Sequence, residues 1–331
     1  MKPSELTSLL AATIPAKLPV LITGAPGVGK SDIVGKATSA ATADLIIDHP
    51  AVDDPIDFKG AIMQVNGHVD FQPVGNLRRI VEATKPTVFF LDDLGQAPAA
   101  VQAACMQLLC ARRIGEHLVS DQVTIIGATN RRTDRAGVNG LLEPVKSRFV
   151  SIVNLDVDLD DWVRWALAAG LPTELIAFVR FRPNLLHDFK PSADLVNTPS
   201  PRTVANVARL MQAGIPASLE YEVYAGAAGE GFAAEFIGFL RIFRNLPNPD
   251  LILMNPDAVD VPADPATLYA LCGALSRKAS DNTIDRLVRY YNRLPAEFSV
   301  LAVRDSVQVC PSVVNSRSFI EWASKHQDVL I

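Results

Sequence analysis

The chain has 331 residues, of which 49% are hydrophobic and 20% charged, with a formal net charge of −5. That length suits two domains and the apolar share excludes a disordered chain, while the acidic balance argues against a dedicated nucleic-acid binder but leaves room for a local basic patch. No apolar run approaches the roughly 18–20 residues needed to span a bilayer. Met1-Lys2-Pro3-Ser4-Glu5 does not open as a secretory signal, and Cys105, Cys110, Cys272 and Cys310 form no C-x-x-C pair. The expectation is therefore a reduced, cytoplasmic setting without a zinc site or disulfide framework.

In chain order, residues 5–12 predict a short amphipathic helix with Leu6, Leu9 and Leu10 on one side. Val20-Leu21-Ile22 then reads as a strand. It runs into Gly24-Ala25-Pro26-Gly27-Val28-Gly29-Lys30-Ser31, which fits G-x-x-x-x-G-K-[ST] without a mismatch. Ile33, Val34 and Ala37 recur at helical spacing just after it. Strand, glycine loop and helix form the context in which this motif binds a nucleoside triphosphate. Backbone N–H groups freed by the glycines point at phosphate oxygens, and the helix N-terminus adds a positive dipole end. Lys30 is expected at the β- and γ-phosphates and the Ser31 hydroxyl on Mg²⁺.

Further short apolar runs follow at Leu45–Asp48, Val88–Leu91, Val123–Ala128 and Phe149–Leu155. Runs without polar alternation suit parallel strands buried on both faces, and their alternation with helical stretches predicts a doubly wound α/β sheet. Between the second and third runs, Met63-Gln64-Val65-Asn66-Gly67-His68-Val69-Asp70-Phe71 reads as a hairpin turning at Asn-Gly. His68 is not expected to bind metal, because no second His or Cys lies at ligand spacing. The run Val88-Phe89-Phe90-Leu91 ends in Asp92-Asp93. A carboxylate at a strand's end beside a phosphate loop holds Mg²⁺, the role given to Asp92, while Asp93 orients or deprotonates the attacking water. The strand Ile125–Thr129 ends in Asn130, whose amide is placed to hold that water. Beyond Asp156 strand signals become scarce. Helices are predicted over 160–169, 173–181, 201–212, 227–243, 264–276 and 282–293. The expected organisation is an α/β nucleotide-binding core over 1–156 and a helical domain over 157–331.

The order of these motifs resembles an AAA+ ATPase, and within that class the chain is similar to the MoxR family. The likeness rests on Asp57-Phe58-Lys59-Gly60, on Asp92-Asp93-Leu94-Gly95-Gln96-Ala97-Pro98 with Val101-Gln102-Ala103-Ala104 and Leu108-Leu109, and on Gly127-Ala128-Thr129-Asn130. It continues through Ser147-Arg148-Phe149 and Ser200-Pro201-Arg202, spanning residues 18–212 or so; the run through Trp322 is similar to the C-terminal part of some of these ATPases. The resemblance implies a P-loop core followed by an all-α lid, with ATP and Mg²⁺ as cofactors. It makes residues 24–31 the Walker A loop, Asp92 and Asp93 Walker B, Asn130 sensor 1, Arg202 sensor 2, and Arg148 an arginine finger acting on a neighbour's nucleotide. It also implies a hexameric ring, a partner protein carrying a von Willebrand factor A domain, and remodelling or activation of other proteins. The 61–74 hairpin lies where the family carries an insert, and residues 112–119 resemble a second hairpin that faces the pore in related rings. One position departs from the pattern: Walker B ends Asp-Asp rather than Asp-Glu, so hydrolysis is expected to be slow unless the strand end shifts to compensate.

Two other functions fit parts of the same sequence. A nucleic-acid motor would use Arg112, Arg113, Arg131, Arg132 and Arg135. A nucleotide-gated scaffold that barely hydrolyses ATP would follow from Asp93. A GTPase is disfavoured because no N-K-x-D base-reading motif occurs.

Overall fold

The computed structural model describes residues 1–65, 67–134, 140–192 and 194–326. Asn66, in the expected hairpin turn, and Arg135, in the basic cluster, lie outside the described residues. The chain divides into two compact units, Met1–Asp158 and Leu159–Ile331.

The first unit opens with α1 (Pro3–Thr13), β1 (Val20–Thr23), α2 (Lys30–Ala40) and β2 (Asp44–Asp48). Next come β3 (Ala61–Val65), β4 (His68–Gln72), α3 (Gly75–Val81), β5 (Thr87–Leu91) and α4 (Ala99–Ala111). The unit closes with β6 (Arg113–Ile114), β7 (His117–Leu118), β8 (Val123–Thr129), α5 (Glu143–Lys146) and β9 (Ser151–Asn154). Five strands form one parallel sheet in the order β2-β5-β8-β1-β9. The apolar runs were expected to be buried on both faces; β1, β5 and β8 are, whereas the edge strands β2 and β9 leave Ile47 and Ile152 exposed. Val88 and Phe90 pack with Leu6, Leu10, Val34 and Ala37 of α1 and α2. Phe89 and Leu91, one residue out of phase, pack with Leu77, Ile80, Val101 and Leu108 of α3 and α4. The period of two sends successive side chains to opposite layers, so a strand covered on both sides carries few polar residues before it ends. Polar groups are therefore displaced to the strands' carboxyl ends, where the glycine loop lies.

The second unit is helical: α6 (Leu159–Ala168), α7 (Thr173–Phe181), α8 (Pro201–Gln212), α9 (Glu220–Ala228) and α10 (Glu230–Arg244) come first. They are followed by α11 (Pro249–Met254), α12 (Pro265–Ser276), α13 (Ile284–Tyr291), α14 (Ala296–Val309) and α15 (Arg317–Lys325). The single helix expected over 227–243 is instead two. Gly229 separates them with φ +94°, and a β-carbon there would lie 2.9 Å from the Asn197 carbonyl oxygen. Phe178 packs against Phe232, Phe236 and Phe239, tying α7 to α10. The buried Asp305 of α14 accepts both guanidinium bonds of Arg180 of α7, one of them at 2.6 Å. Among the described residues no helix is long and apolar enough to cross a membrane.

Candidate nucleotide site

The site grows from the ends of three neighbouring strands. After β1, the loop 24–29 turns into α2, whose N-cap is Gly29 at φ +96°, a conformation that a β-carbon would strain. α2 therefore begins abruptly, and the N–H groups of its first turn have no partners inside the helix. Lys30, its first residue, is buried. Its ammonium donates to the carbonyl oxygens of Gly24 (2.9 Å) and Ala25 (3.1 Å) and to Asn130 Oδ1 (2.7 Å). Ser31 Oγ donates to Asp92 Oδ2 at 2.6 Å.

β5 delivers Asp92 one residue beyond its last pairing, and the Asp92 amide donates to the Asp48 carbonyl at 2.9 Å. Asp93 follows with φ +57° and ψ +31°, in the left-handed region. Its amide donates to Asp92 Oδ1 at 3.1 Å, and its Oδ1 lies 3.5 Å from Asn130 Nδ2. β8 ends at Thr129 and places Asn130 between Lys30 and Asp93. Five predicted residues, Lys30, Ser31, Asp92, Asp93 and Asn130, are thus joined in one hydrogen-bonded group.

The two predicted arginines stand outside that group. Arg148 lies between α5 and β9 with Nη1 on Ser147 Oγ at 3.0 Å, and its Nε is buried without a hydrogen-bond partner among the described residues. Arg202 is exposed in the first turn of α8, behind the Ser200 N-cap and Pro201. It belongs to the second unit. The sequence reading missed Asp48. The run Leu45–Asp48 ends in an acid just as the next strand of the sheet does, which is the signal that could have found it.

The residues present fit a magnesium–nucleoside triphosphate. The donor set is a buried ammonium beside a helix N-terminus. The acceptor set is a carboxylate paired with a hydroxyl, both oxygen donors of the kind magnesium takes. A parallel sheet with a glycine loop after its first strand and paired acids at the end of the next-but-one strand is a P-loop nucleoside-triphosphatase core. Residues 19–149 match the family model of the AAA domain, dynein-related subfamily. The first unit is accordingly an AAA+ core, followed by an all-α unit, and nucleotide binding goes with that class. No curated protein matches the chain in sequence. Among solved structures, the chain is similar to the RuvB Holliday junction branch migration motor of Thermotoga maritima, at 12% identity over 98% of this chain and 86% of that one, with a TM-score of 0.40. It is also similar to NtrX from Brucella abortus in complex with ADP, at 16% identity over 99% and 68%, with a TM-score of 0.44.

Proposed function

We propose that this protein is a MoxR-like ATPase that couples ATP binding and hydrolysis to remodelling or activation of a partner polypeptide. The observation that favours a polypeptide is the β3–β4 hairpin. Ile62 pairs with Phe71 and Gln64 with Val69, so these four side chains share one face of the ribbon. Ile62, Val69 and Phe71 are 60%, 72% and 40% exposed. An exposed apolar face of that kind marks an interaction site rather than a phosphate-backbone groove. Three of the five arginines of the competing motor reading are engaged elsewhere. Arg112 donates to the carbonyls of Ser120 and Val123, Arg113 to that of Glu116, and Arg131 pairs with Asp134 and Asp156.

Bound magnesium and ATP supply the transferable phosphoryl group and the cation that balances its charge. Lys30 and the N–H groups of the loop hold the phosphates, and Ser31 with Asp92 holds the metal. Asp93 Oδ1 accepts the proton of the attacking water, and the Asn130 amide fixes that water's orientation. Arg148 as an arginine finger on the nucleotide of a neighbouring subunit in a hexameric ring, and Arg202 as the second sensor, follow from the resemblance. A partner with a von Willebrand factor A domain follows from the resemblance alone, and a cytoplasmic setting from the cysteine pattern alone.

The test is ATP turnover by the full chain with Mg²⁺, measured alone, with unfolded casein and with single-stranded DNA. Stimulation by casein and not by DNA supports the reading. Stimulation by DNA alone overturns it in favour of a motor, and ATP binding without turnover under every condition overturns it in favour of a scaffold.

A further inference from the structure

The hairpin and the nucleotide site meet at one residue. Asp48 closes β2, beside β5, and its carbonyl accepts from the amide of Asp92 at 2.9 Å. Its side chain faces the other way. Asp48 Oδ1 accepts from Asn76 Nδ2 at 2.8 Å, and Asn76 stands in the first turn of α3, four residues after β4 ends. The exit root of the hairpin is thus fastened to the strand end that supports Asp92.

The entry root approaches the same residue. Asp53, in the segment leading to β3, turns its carboxyl toward that of Asp48, and its Oδ2 is buried with no donor group against it. Two facing carboxyls bond only when one holds a proton. Burial first, and then Asp48 and Asp57, push the Asp53 carboxyl up to about 6, while His49 draws it down. Cys105 of α4 is the further titratable group within electrostatic reach. The tie between Asp53 and Asp48 is therefore complete below the ordinary carboxylate range and is lost as pH rises through about 6. The tie between Asn76 and Asp48 needs no proton and persists.

The two roots also touch each other. Gly60, at φ +92°, leaves no room for a side chain: a β-carbon there would lie 2.3 Å from the Gln72 carbonyl oxygen. Phe58, two residues earlier, is buried in the core between the sheet and α3 and α4. The roots are thus a packed unit, while the apolar face of the hairpin formed by Ile62, Val69 and Phe71 is exposed.

We propose that Asp48 is the positioning residue that couples the nucleotide site to the β3–β4 hairpin, by holding the strand end beneath Asp92 with its main chain and the hairpin's exit root with its carboxylate. This rests on the reading of Asp92 as a magnesium-site residue. A displacement of Asp92 on nucleotide binding moves Asp48 through their backbone bond and reaches the hairpin through Asn76, and load on the hairpin returns by the same route.

The test is hydrogen exchange of the amides of residues 61–72 in the full chain, with and without Mg²⁺ and the non-hydrolysable analogue AMP-PNP, at pH 7.5. Affinity for AMP-PNP is measured separately by calorimetry. Coupling between two sites is typically about 5–150-fold. In the wild-type chain, analogue binding is expected to change hairpin exchange by about fivefold or more. Asn76→Ala binds the analogue with wild-type affinity and loses most of that response, and Asp48→Ala loses the response as well. Asp48→Asn keeps an oxygen to accept from Asn76 and retains it, an outcome that a purely structural role for the position does not produce. Asp53→Asn supplies a donor that needs no acid, so its free chain shows slower hairpin exchange than wild type at pH 7.5 and no difference at pH 5. An unresponsive wild-type hairpin overturns the proposal. So does a full response in Asn76→Ala, whose half-exposed side chain can be removed even if Asp48→Ala does not fold. Failure of the wild-type chain to bind the analogue in calorimetry overturns the reading of the nucleotide site itself, and the coupling with it.

Discussion

Replacing Asp93 by the longer Glu tests whether an aspartate at this position is a defect or a fitted part. The main chain at Asp93 is left-handed, with φ +57° and ψ +31°. That conformation costs an ordinary residue about 1–2 kcal/mol, and Asp and Asn bear it best because their short polar side chains bond locally. Asp93 therefore suits its backbone better than Glu does. Its carboxylate is also already placed, 3.5 Å from Asn130 Nδ2. Glu adds one carbon–carbon bond, about 1.5 Å, and must fold back or push past Asn130, whose Oδ1 is committed to Lys30. A displacement of about 1 Å at a reacting group costs about 10²-fold. The expected result for Asp93→Glu is a fall in kcat of about 10²-fold with unchanged ATP affinity. The accompanying loss of stability should reach about 1 kcal/mol. The assay is steady-state turnover at saturating Mg²⁺ and ATP beside calorimetric titration, with Asp93→Asn, which keeps the length and removes the charge, as the reference. Asp93→Asn should bind ATP and retain it unhydrolysed. If Asp93→Glu hydrolyses ATP as fast as the wild type or faster, the fitted-backbone reasoning is wrong and Asp93 is merely a shortened base.

Lys30→Ala removes the ammonium that meets two loop carbonyls and Asn130, and calorimetry should detect no productive ATP binding; wild-type affinity would contradict its phosphate role. Arg148→Ala should bind ATP normally yet hydrolyse it poorly, since arginine fingers supplied in trans to small GTPases are worth about 10³–10⁵ in kcat. Mixing it with Lys30→Ala subunits should restore part of the activity, and a co-assembled mixture that stays inactive removes Arg148 from a shared site. In the second unit, Asp305→Ala leaves the Arg180 guanidinium in the interior with both its carboxylate bonds gone. Loss of one member of a buried pair costs about 3–5 kcal/mol, to be read as a lowered Tm. The apolar double variant Arg180→Met with Asp305→Leu should recover most of the loss, and if it melts as early as Asp305→Ala, the unpaired charge is not the cause.

The nucleotide site was readable because its parts are local. A glycine loop, its lysine and its serine are contiguous, and Asp92, Asp93 and Asn130 each follow directly on an apolar run. The sheet was readable for a related reason: strands covered on both sides contain little but Val, Ile, Leu and Phe. The second unit resisted where polar residues sit in its core. α14 buries Ser299, Asp305 and Ser306 among its apolar positions, which hides the helical period. Two are satisfied by distant residues, Ser299 by the Trp322 indole at 2.9 Å and Asp305 by Arg180, while Ser306 donates to the Ala302 carbonyl at 2.8 Å and meets the Tyr291 hydroxyl at 3.1 Å. No local pattern announces a partner tens of residues away. Gly229 was likewise unreadable as a break, because the apolar positions continue on either side of it and only the approach of Asn197 demands the turn.

Asp48 escaped notice for the opposite reason, since it is local but has no motif. In a parallel sheet every strand delivers its last residue to the same edge, and the register decides which of those residues meet. Asp48 pairs with Leu91, and Leu91 in turn with Gly127. β2 and β5 therefore finish level, with Asp48 beside the residue just before Asp92, while β8 runs on to Thr129 before releasing Asn130. That offset puts Asn130 above the acids, where it reaches Lys30 and Asp93, and leaves Asp48 level with Asp92, where only its main chain can touch the site. Its side chain is then free to serve the neighbouring element, and the neighbouring element is the root of the hairpin. The same stagger thus separates a residue that contacts the nucleotide's ligands from one that transmits their position. Lengthening β2 by one residue would rotate Asp48 to the other face of the sheet and cut the hairpin's tie while leaving Lys30, Ser31, Asp92 and Asn130 where they are.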